Sequence, residues 1–488
     1  MEEGQMETGE NAAVKLVDQK KSAKKKVYVP GISRILKASE ELVYDEKAYL
    51  LFHTFETNYP CLSFDVLPDS LGDNRSDFPM TAWLAAGTQA DRAKDNELLV
   101  LRLSNLHANE KTLENAKKMA QGKGDESESS SSEDDEEEEE TEGGAKSARM
   151  HAAVIPHHGG INRMKASGGT DRTGEKDGGG GGSPIFAIYP VCQTIGASNV
   201  CAVWNDQQKV QLWNLDPAIE TVKSIGTESP SKVQKMEKDA VKQNLLFTFA
   251  GHSAEGFALA WSPIRLGTLA SGDLHNRIFL WRMSEGGQWL VDQRPLAEHQ
   301  SSVEDLAWSP TEEALLMSCS ADHTLRLWDV RASHKDSCVC TVKEAHNGDV
   351  NVISWNSGGE PLIVSGGDDA KLNIWSLKTI QYNQPVAQFQ HHQKPISSVE
   401  WNPHDGTVFM ASGEDDQITL WDLALEDDEL HGEVEGGEEK TAPNVPSQLL
   451  FIHMGQKEVK EVHWHKQCPG LAFSTALDGF HVFKTINV

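Results

Sequence analysis

Alternation of apolar and polar residues predicts short β-strands along most of the chain. Residues 80–103 contain the segments LAAGTQ and ELLVLRL, which read as two strands separated by a polar turn. Thirteen tryptophans are many for 488 residues, and most of them recur in phase with a histidine. Strands that recur at a fixed spacing predict a fold built from repeated units.

Four histidines and eight tryptophans define the repeat. Each histidine is followed after nine residues by one tryptophan and after 29 residues by another, and successive units are 47, 47 and 46 residues long. A WD repeat has ~40–45 residues and supplies the four strands of one propeller blade. The units begin at His252, His299, His346 and His392 and end at Trp281, Trp328, Trp375 and Trp421.

Weaker units extend the array to seven. One runs from His453 through Trp464 to Phe483, an earlier one ends at Trp213, and residues 80–103 supply another. The fold is therefore predicted to be all-β: a seven-bladed WD40 β-propeller with an N-terminal helix and acidic disordered insertions. A closed propeller is expected to be a monomer.

The repeat histidines are predicted to be structural. In a WD blade the histidine, a serine or threonine, a turn aspartate and the closing tryptophan form a buried hydrogen-bond network. In the first clear unit His275 occupies the aspartate position, with Asp273 nearby, so this network is expected to be altered. The other three units have Asp322, Asp369 and Asp415 there.

Composition restricts the class of partner. The chain has 45 basic and 74 acidic residues, a net charge of −29, which argues against direct nucleic-acid binding because phosphates attract basic surfaces. A polyanionic protein instead attracts basic proteins. The seven cysteines contain no CxxC pair, which fits a reducing compartment. No apolar run approaches the ~20 residues of a membrane span, so no membrane partner is expected.

No residue pattern indicates catalysis. Serine, cysteine and histidine show no nucleophile-elbow or kinase arrangement, and the glycine run at 178–182 lacks the ending of a phosphate loop. His157 and His158 fall in a predicted linker, and His463 and His465 fall on one strand face, in both cases without further metal ligands. We predict a non-catalytic binding scaffold with no metal and no cofactor.

Segments outside the repeats give a domain plan. The lysines at 20–26 resemble a nuclear import signal, with a solubilising arm as the alternative. The plan comprises a disordered basic and acidic arm (1–38), a helix on the propeller's side (39–60), strands of the last and first blades (61–106), a disordered acidic and glycine-rich insertion (107–183), and the remaining blades (184–488) with inserts at 217–243 and 426–446.

The predicted helix at 39–60 has apolar residues at mixed helical spacings. Its free apolar face could receive a partner helix, or the helix could only cover an edge strand. The candidate client contacts are Leu42, Tyr44, Tyr49, Leu51, Phe52 and Phe55.

Two acidic segments are expected to attract basic clients. Residues 125–142 contain twelve acids and cannot bury a core. Three serines there precede an acid by three residues, which suits an acidophilic kinase, and phosphates would add negative charge. These candidate phosphosites are Ser130, Ser131 and Ser132. The second segment lengthens the histidine spacing from 46 to 61 residues, and its candidate contacts are Asp427, Asp428 and Glu429.

Acids also follow the repeat histidines by three to five residues. These positions are expected at the mouth of the axial channel, where carboxylates favour a basic peptide over a phosphate substrate. The residues are Glu255, Glu304 and Asp349.

The segment NYPCLS (58–63), followed by LPD (67–69), resembles the N-terminal signature of histone-binding WD-repeat chaperones. The resemblance implies that the N-terminal helix and the acidic loop between the last two blades hold a histone helix against the propeller's side. Tyr59 and Val66 stand where that family usually has tryptophans, and PNVP (443–446) replaces its proline pair.

Strings outside the repeat pattern resemble the glutamate-rich WD-repeat proteins over nearly the whole chain. This resemblance implies a nuclear and nucleolar protein that acts in large ribosomal-subunit assembly and histone handling, with core histones and basic ribosomal proteins as clients. The strings are Pro30-Gly31, LGDNR (71–75), GGINR (159–163), VDQRP (291–295), VNVISW (350–355) and the C-terminal tail.

A further string, LMSCSAD (316–322) with WDVR (328–331), is similar to the DWD box of proteins that dock on the damaged-DNA-binding adaptor of cullin-four ubiquitin ligases. The similarity implies an alternative function as a ligase substrate receptor. Arg331 is expected on the bottom face of the propeller, where its guanidinium can pair with a carboxylate. The docking candidates are Asp322, Trp328, Asp329 and Arg331.

Overall fold

The computed structural model describes residues 42–109, 147–167, 199–229, 231–236, 244–426 and 445–488, together with 28, 30, 33, 112 and 113. The chain divides into two units, residues 1–43 and 44–488, and the second contains every strand given below. The arm lysines, the 125–142 segment with its three serines, and the acids at 427–429 lie outside the described residues.

Twenty-eight strands form seven four-stranded antiparallel sheets, so the predicted seven-bladed propeller is confirmed. β1 (Tyr49–Phe55) is the outer strand of the last sheet. Blade 1 contains β2 (Cys61–Leu67), β3 (Met80–Thr88), β4 (Asn96–Leu106) and β5 (Arg149–His157). Blade 2 contains β6 (Ile161–Ala166), β7 (Val200–Asn205), β8 (Lys209–Asn214) and β9 (Leu245–Phe249). Blade 3 contains β10 (Ala258–Trp261), β11 (Thr268–Gly272), β12 (Ile278–Met283) and β13 (Trp289–Val291).

The second half of the ring has the same plan. Blade 4 contains β14 (Val303–Trp308), β15 (Leu315–Ser320), β16 (Leu325–Asp329) and β17 (Cys338–Val342). Blade 5 contains β18 (Val350–Trp355), β19 (Leu362–Gly367), β20 (Leu372–Ser376) and β21 (Ala387–Phe389). Blade 6 contains β22 (Ile396–Trp401), β23 (Val408–Gly413), β24 (Ile418–Asp422) and β25 (Leu449–His453). Blade 7 contains β26 (Glu461–Trp464), β27 (Ala472–Ala476), β28 (Gly479–Thr485) and β1.

Helical structure is minor in the described part of the chain. α1 (Asp216–Ser224) has nine residues and begins with a proline, whose fixed φ suits the first turn. Its Ala218 and Val222 pack into the core between blades 1 and 2. Single 3-10 turns cover Glu46–Ala48, Ala93–Asp95 and Ile380–Tyr382, and residues 231–236 are also helical. None of the described helices has the length and apolar character needed to cross a membrane.

The innermost strands of neighbouring blades run parallel around the ring. Met164 N donates to Ser63 Oγ and Ala166 N to Asp65 Oδ2, which sets β6 alongside β2 in the same direction. Elsewhere the tryptophan that ends an innermost strand donates its ring N–H to a carbonyl near the end of the preceding one. Because strands within each blade are antiparallel, connections after first and third strands leave from one face. We call this the insertion face, and the opposite one the short-loop face.

The prediction of a helix at 39–60 is wrong over its central part. Residues 49–55 form β1, which pairs with β28 through Phe52 and Phe483, among others. Leu51 and Phe55 point into the core between blades 7 and 1. The apolar residues of this segment fit either period, and the blade decides, because β28 would otherwise expose its outer edge.

Three other predicted boundaries are wrong. β5 and β6 lie inside the predicted insertion 107–183, so His157 ends a strand and is buried instead of lying in a linker. Residues 61–106 contain only blade 1 strands, because the strand that completes blade 7 is β1. α1 occupies the start of the predicted insert 217–243. β5 is an outer strand with an exposed side, so its apolar pattern is weak although its pairing with β4 is complete.

The repeat histidines are structural, as predicted. In blade 5 the ring of His346 lies 2.8 Å from both Asp369 Oδ1 and Ser365 Oγ, and Trp375 Nε1 donates to the same Ser365 oxygen at 2.8 Å. Burial raises the pKa of Asp369, but the bond from His346 outweighs it and lowers that pKa to about 2. This network fixes the turn between the second and third strands of the blade.

The blade 3 network is complete, although its aspartate has moved two positions along the chain. His252 contacts Asp273 at 2.9 Å and Ser271 at 2.8 Å, and Trp281 donates to Ser271. The predicted alteration is therefore confined to the position of the carboxylate. His275 instead contacts Ser253.

Candidate functional site

Every long connection of the ring leaves from the insertion face. These connections join β4 to β5, β6 to β7, β8 to β9 and β24 to β25, and Val488 follows β28 on the same face. The acidic segment 125–142 belongs to the first connection and residues 427–429 to the last. On the short-loop face the longest connection has eleven residues, 292–302. The two acidic segments are therefore anchored on one face of the propeller, a relation that no local sequence pattern shows.

The predicted channel-mouth acids lie on the opposite face. Each stands at or just before the start of an innermost strand, and Glu255 accepts a hydrogen bond from Asn162 Nδ2 at 3.0 Å. Burial, and then the nearby charge of Asp349, raise the pKa of Glu304. Burial, followed by the charge of Asp368, raises the pKa of Asp349. The acids at the channel mouth and the acidic insertions are thus two separate sites.

A buried charge network crosses the ring between its ends and its second blade. Glu461 of β26 is 1% exposed, and its Oε1 lies 2.8 Å from both Arg163 Nη1 and Lys165 Nζ of β6. Its Oε2 accepts from Ser63 Oγ at 2.6 Å and Phe64 N at 2.9 Å. One carboxylate therefore joins blades 7, 1 and 2. No sequence pattern predicted this network, although Arg163 belongs to the GGINR string quoted for the family resemblance.

His463 extends this network to blade 6. Its ring lies 3.1 Å from Glu461 Oε1 and 3.0 Å from Glu400 Oε2. Burial and Lys165 lower the pKa of His463, but the two carboxylates outweigh them and raise it to about 9. Burial raises the pKa of Glu461, but Lys165, Arg163 and His463 hold it well below its usual range. The imidazole is therefore an ion-pair partner and not a free base.

The six residues proposed as a client-binding helix do not form one surface. Leu42 and Tyr44 are 44% and 51% exposed. Tyr49, Leu51 and Phe55 are buried, and Tyr49 Oη lies 2.7 Å from His453 Nδ1. Because alternate residues of a strand point to opposite sides, Phe52 lies beside the blade 6–7 core, whereas Leu51 and Phe55 face blade 1.

A groove of about 470 Å³ follows the outer edge of β1. It is mainly apolar and aromatic, and one wall comes from the start of β5 in the neighbouring blade. Its lining residues are Tyr44, Phe52, His53, Thr54, Phe55, Ala148 and Met150.

The four docking candidates of the DWD-like string separate into buried and exposed pairs. Asp322 accepts from His299 in the blade 4 network, and Trp328 is fully buried, so neither can touch a partner. Arg331 is 68% exposed, and its Nε and Nη2 donate to Asp329 Oδ1 and Oδ2 at 2.9 and 2.7 Å. Only Asp329 and Arg331 of this set lie at the surface, at the insertion face end of β16.

Within the described ranges, no three histidine, cysteine, aspartate or glutamate side chains are grouped so that they could hold a metal ion. His157, one of the histidines considered in the sequence, instead bonds Gly159 O and Gln211 Oε1. His465 accepts the backbone N–H groups of Gln467 and Cys468 through Nδ1. These imidazoles hold turns and strand ends in place.

Comparison with known proteins gives the same architecture. Residues 39–107 match a family of histone-binding proteins, described as histone-binding protein RBBP4 or a component of the CAF1 complex. Residues 292–329, 336–376 and 383–422 match the WD domain, G-beta repeat.

Three relatives align over almost the full length of the chain. It is 36% identical to Protein HEAT STRESS TOLERANT DWD 1 of Arabidopsis thaliana, over 95% of this chain and 92% of the relative. It is 35% identical to ribosome assembly protein rrb1 of Schizosaccharomyces pombe, over 93% of this chain and 83% of the relative. It is 41% identical to glutamate-rich WD repeat-containing protein 1 of Dictyostelium discoideum, over 95% of this chain and 85% of the relative. The chain therefore belongs to the family of glutamate-rich WD-repeat-containing proteins.

Proposed function

We propose that this protein is a non-catalytic chaperone for basic nuclear proteins. Its clients are core histones and basic large-subunit ribosomal proteins, and it works in ribosome assembly and histone handling. The observation that carries the proposal is the anchoring of two acidic segments on one face of a rigid ring. A polyanion held there masks the positive charge of a client before the client meets nucleic acid.

The relatives support the coarse part of this proposal. One is named for ribosome assembly, and the N-terminal match is to a histone-binding family. We also propose a nuclear and nucleolar location, with the lysines at 20–26 acting as an import signal. Replacing these lysines with serine is then expected to leave a fluorescent fusion in the cytoplasm.

The acidic segments are tested by changing their charge in two separate variants. One variant replaces residues 125–142 with a neutral linker of equal length, and another changes Asp427, Asp428 and Glu429 to lysine. Binding of purified core histones to both is expected to weaken, and to depend less steeply on salt, because fewer ion pairs form. Unchanged affinity in both variants would reject the proposal.

A matched control separates site from overall charge. Changing Glu56, Asp91 and Glu414 to lysine alters net charge as much as the 427–429 variant does, but on exposed positions of the short-loop face. Histone affinity of this control is expected to stay near that of the unmodified protein. An equal loss would mean that net charge, not the insertion face, attracts the client.

Two smaller proposals concern the same clients. Phosphorylation of Ser130, Ser131 and Ser132 would add negative charge to the first acidic segment and tighten binding. Glu255, Glu304 and Asp349 would hold a basic tail at the short-loop face. Changing these three to their amides is then expected to weaken binding of a lysine-rich peptide by the same factor in the unmodified chain and in the acidic-segment variants.

A second candidate function is docking on the adaptor of cullin-four ligases. It is favoured by the exposed Arg331 at the end of a DWD-like string and by a relative with DWD in its name. Arg331→Ala is expected to abolish adaptor pull-down while histone binding persists. Failure of the unmodified protein to bind purified adaptor would dismiss this candidate.

A further inference from the structure

β1 presents an open backbone edge on the outside of the ring. It is hydrogen-bonded to β28 on one side, and on the other side Leu50 O accepts from Asn109 N at 2.8 Å. Backbone groups of alternate residues point to the same side of a strand, so the N–H and C=O groups of Phe52 and Thr54 face outward as well. Such an edge is a template for an added strand.

Aromatic and apolar side chains flank this edge. The groove of about 470 Å³ has the size of a small-ligand or peptide pocket. Phe52 and Tyr44 stand on one side of it, with their rings edge-to-face at 5.1 Å. Met150 and Ala148 of the neighbouring blade form the other wall. The groove therefore combines backbone hydrogen-bonding groups with a pocket for a large apolar side chain.

The first acidic segment is tethered at both ends of this groove. The chain leaves β4 and passes beside β1 at Asn109, whose N–H reaches Leu50 O. It returns at Ala148, which lines the groove. All twelve acids of residues 125–142 lie between these two points. A segment bound in the groove is thus close to a high local concentration of carboxylates, which favours lysine and arginine around its apolar anchor.

We propose that the β1 groove binds an extended segment of a basic client, with a large apolar side chain among Phe52, Phe55 and Met150 and lysine or arginine on either side. The backbone of this segment pairs with β1 as a fifth strand of blade 7, the binding mode known as β-augmentation. The inference rests on the proposed function and deepens it, because it assigns the docking surface and the sequence character of the bound segment.

Hydrogen exchange with purified core histones tests the pairing directly. Saturating histone is expected to slow amide exchange in residues 50–56 of the full chain by at least tenfold. Residues 387–389, the outer strand of blade 5, should not change. Bound histone with unchanged exchange at 50–56 would overturn the inference while leaving the proposed function intact.

Side-chain variants supply an independent readout. Tyr44→Ala and Met150→Ser are each expected to weaken histone binding roughly tenfold, the usual loss when an interface anchor is truncated. Tyr382→Ala, which removes a 67% exposed tyrosine on blade 5, is the matched control and should bind as the unmodified chain does. Equal affinities for all three variants would refute the groove. No histone binding by the unmodified protein would refute the proposed function and the inference with it.

Discussion

Glu461→Gln is expected to be among the most destabilising single changes in the ring. The substitution keeps the size of the side chain but removes the charge that Arg163 and Lys165 contact at 2.8 Å. It also turns an amide N–H₂ toward a donor, because the carboxylate accepts on both oxygens. Removing one partner of a buried ion pair costs about 3–5 kcal/mol, because the remaining charges stay desolvated.

This loss converts into a measurable shift in the melting temperature. Unfolding entropy is about 2.1 cal/mol/K per residue, so for a ring of roughly 350 ordered residues Tm should fall by roughly 4–7 °C. Differential scanning calorimetry at pH 6.5 measures this shift. Glu360→Gln is the matched control, because Glu360 is 69% exposed and its pair with Lys378 spans 3.5 Å. Its Tm is expected to change little, since exposed ion pairs contribute little.

His463 adds a pH signature. Its pKa is about 9 in the folded protein, above the ordinary value of 6.5, so its stabilisation is complete below pH 6.5 and lost as pH rises through 9. Loss of the Glu461 carboxylate lowers this pKa, and the stability gap between the unmodified protein and Glu461→Gln should therefore narrow from pH 6.5 to 9. A Tm within 1 °C of the Glu360→Gln control, or a gap independent of pH, would refute the reasoning.

Other expectations follow from single contacts. Ser365→Ala removes the acceptor of Trp375 Nε1 and the partner of His346, so urea unfolding should show a loss of about 1–3 kcal/mol. Asp369→Asn should matter most above pH 4 and progressively less toward pH 2, because a carboxylate with a folded pKa of about 2 stabilises only while the unfolded chain would bind the proton; acid titration followed by tryptophan fluorescence measures this. Tyr49→Phe should cost about 1 kcal/mol in the same urea assay by leaving His453 Nδ1 without its hydroxyl partner. Arg331→Ala should leave Tm unchanged, because its pair with Asp329 is exposed to solvent.

The repeat, the number of blades and the role of the histidines could all be predicted from the residues alone. These features are local: each network joins residues fewer than 30 positions apart, such as His346 and Trp375, and one blade folds much like the next. The negative charge and its concentration in two segments are also properties of composition. Even the displaced Asp273 was visible in the sequence, although its ability to complete the blade 3 network was not.

The closure of the ring by the two ends of the chain depends instead on contacts between distant residues. Tyr49 pairs with Thr485, and Ser63 bonds Glu461 across 398 positions, and no local period encodes such contacts. The apolar residues at 49–55 suit a helix or a strand, and the open edge of β28 selects the strand. The direction of the innermost strands then sets both acidic connections on one face, since alternate turns of an antiparallel blade emerge at the same end.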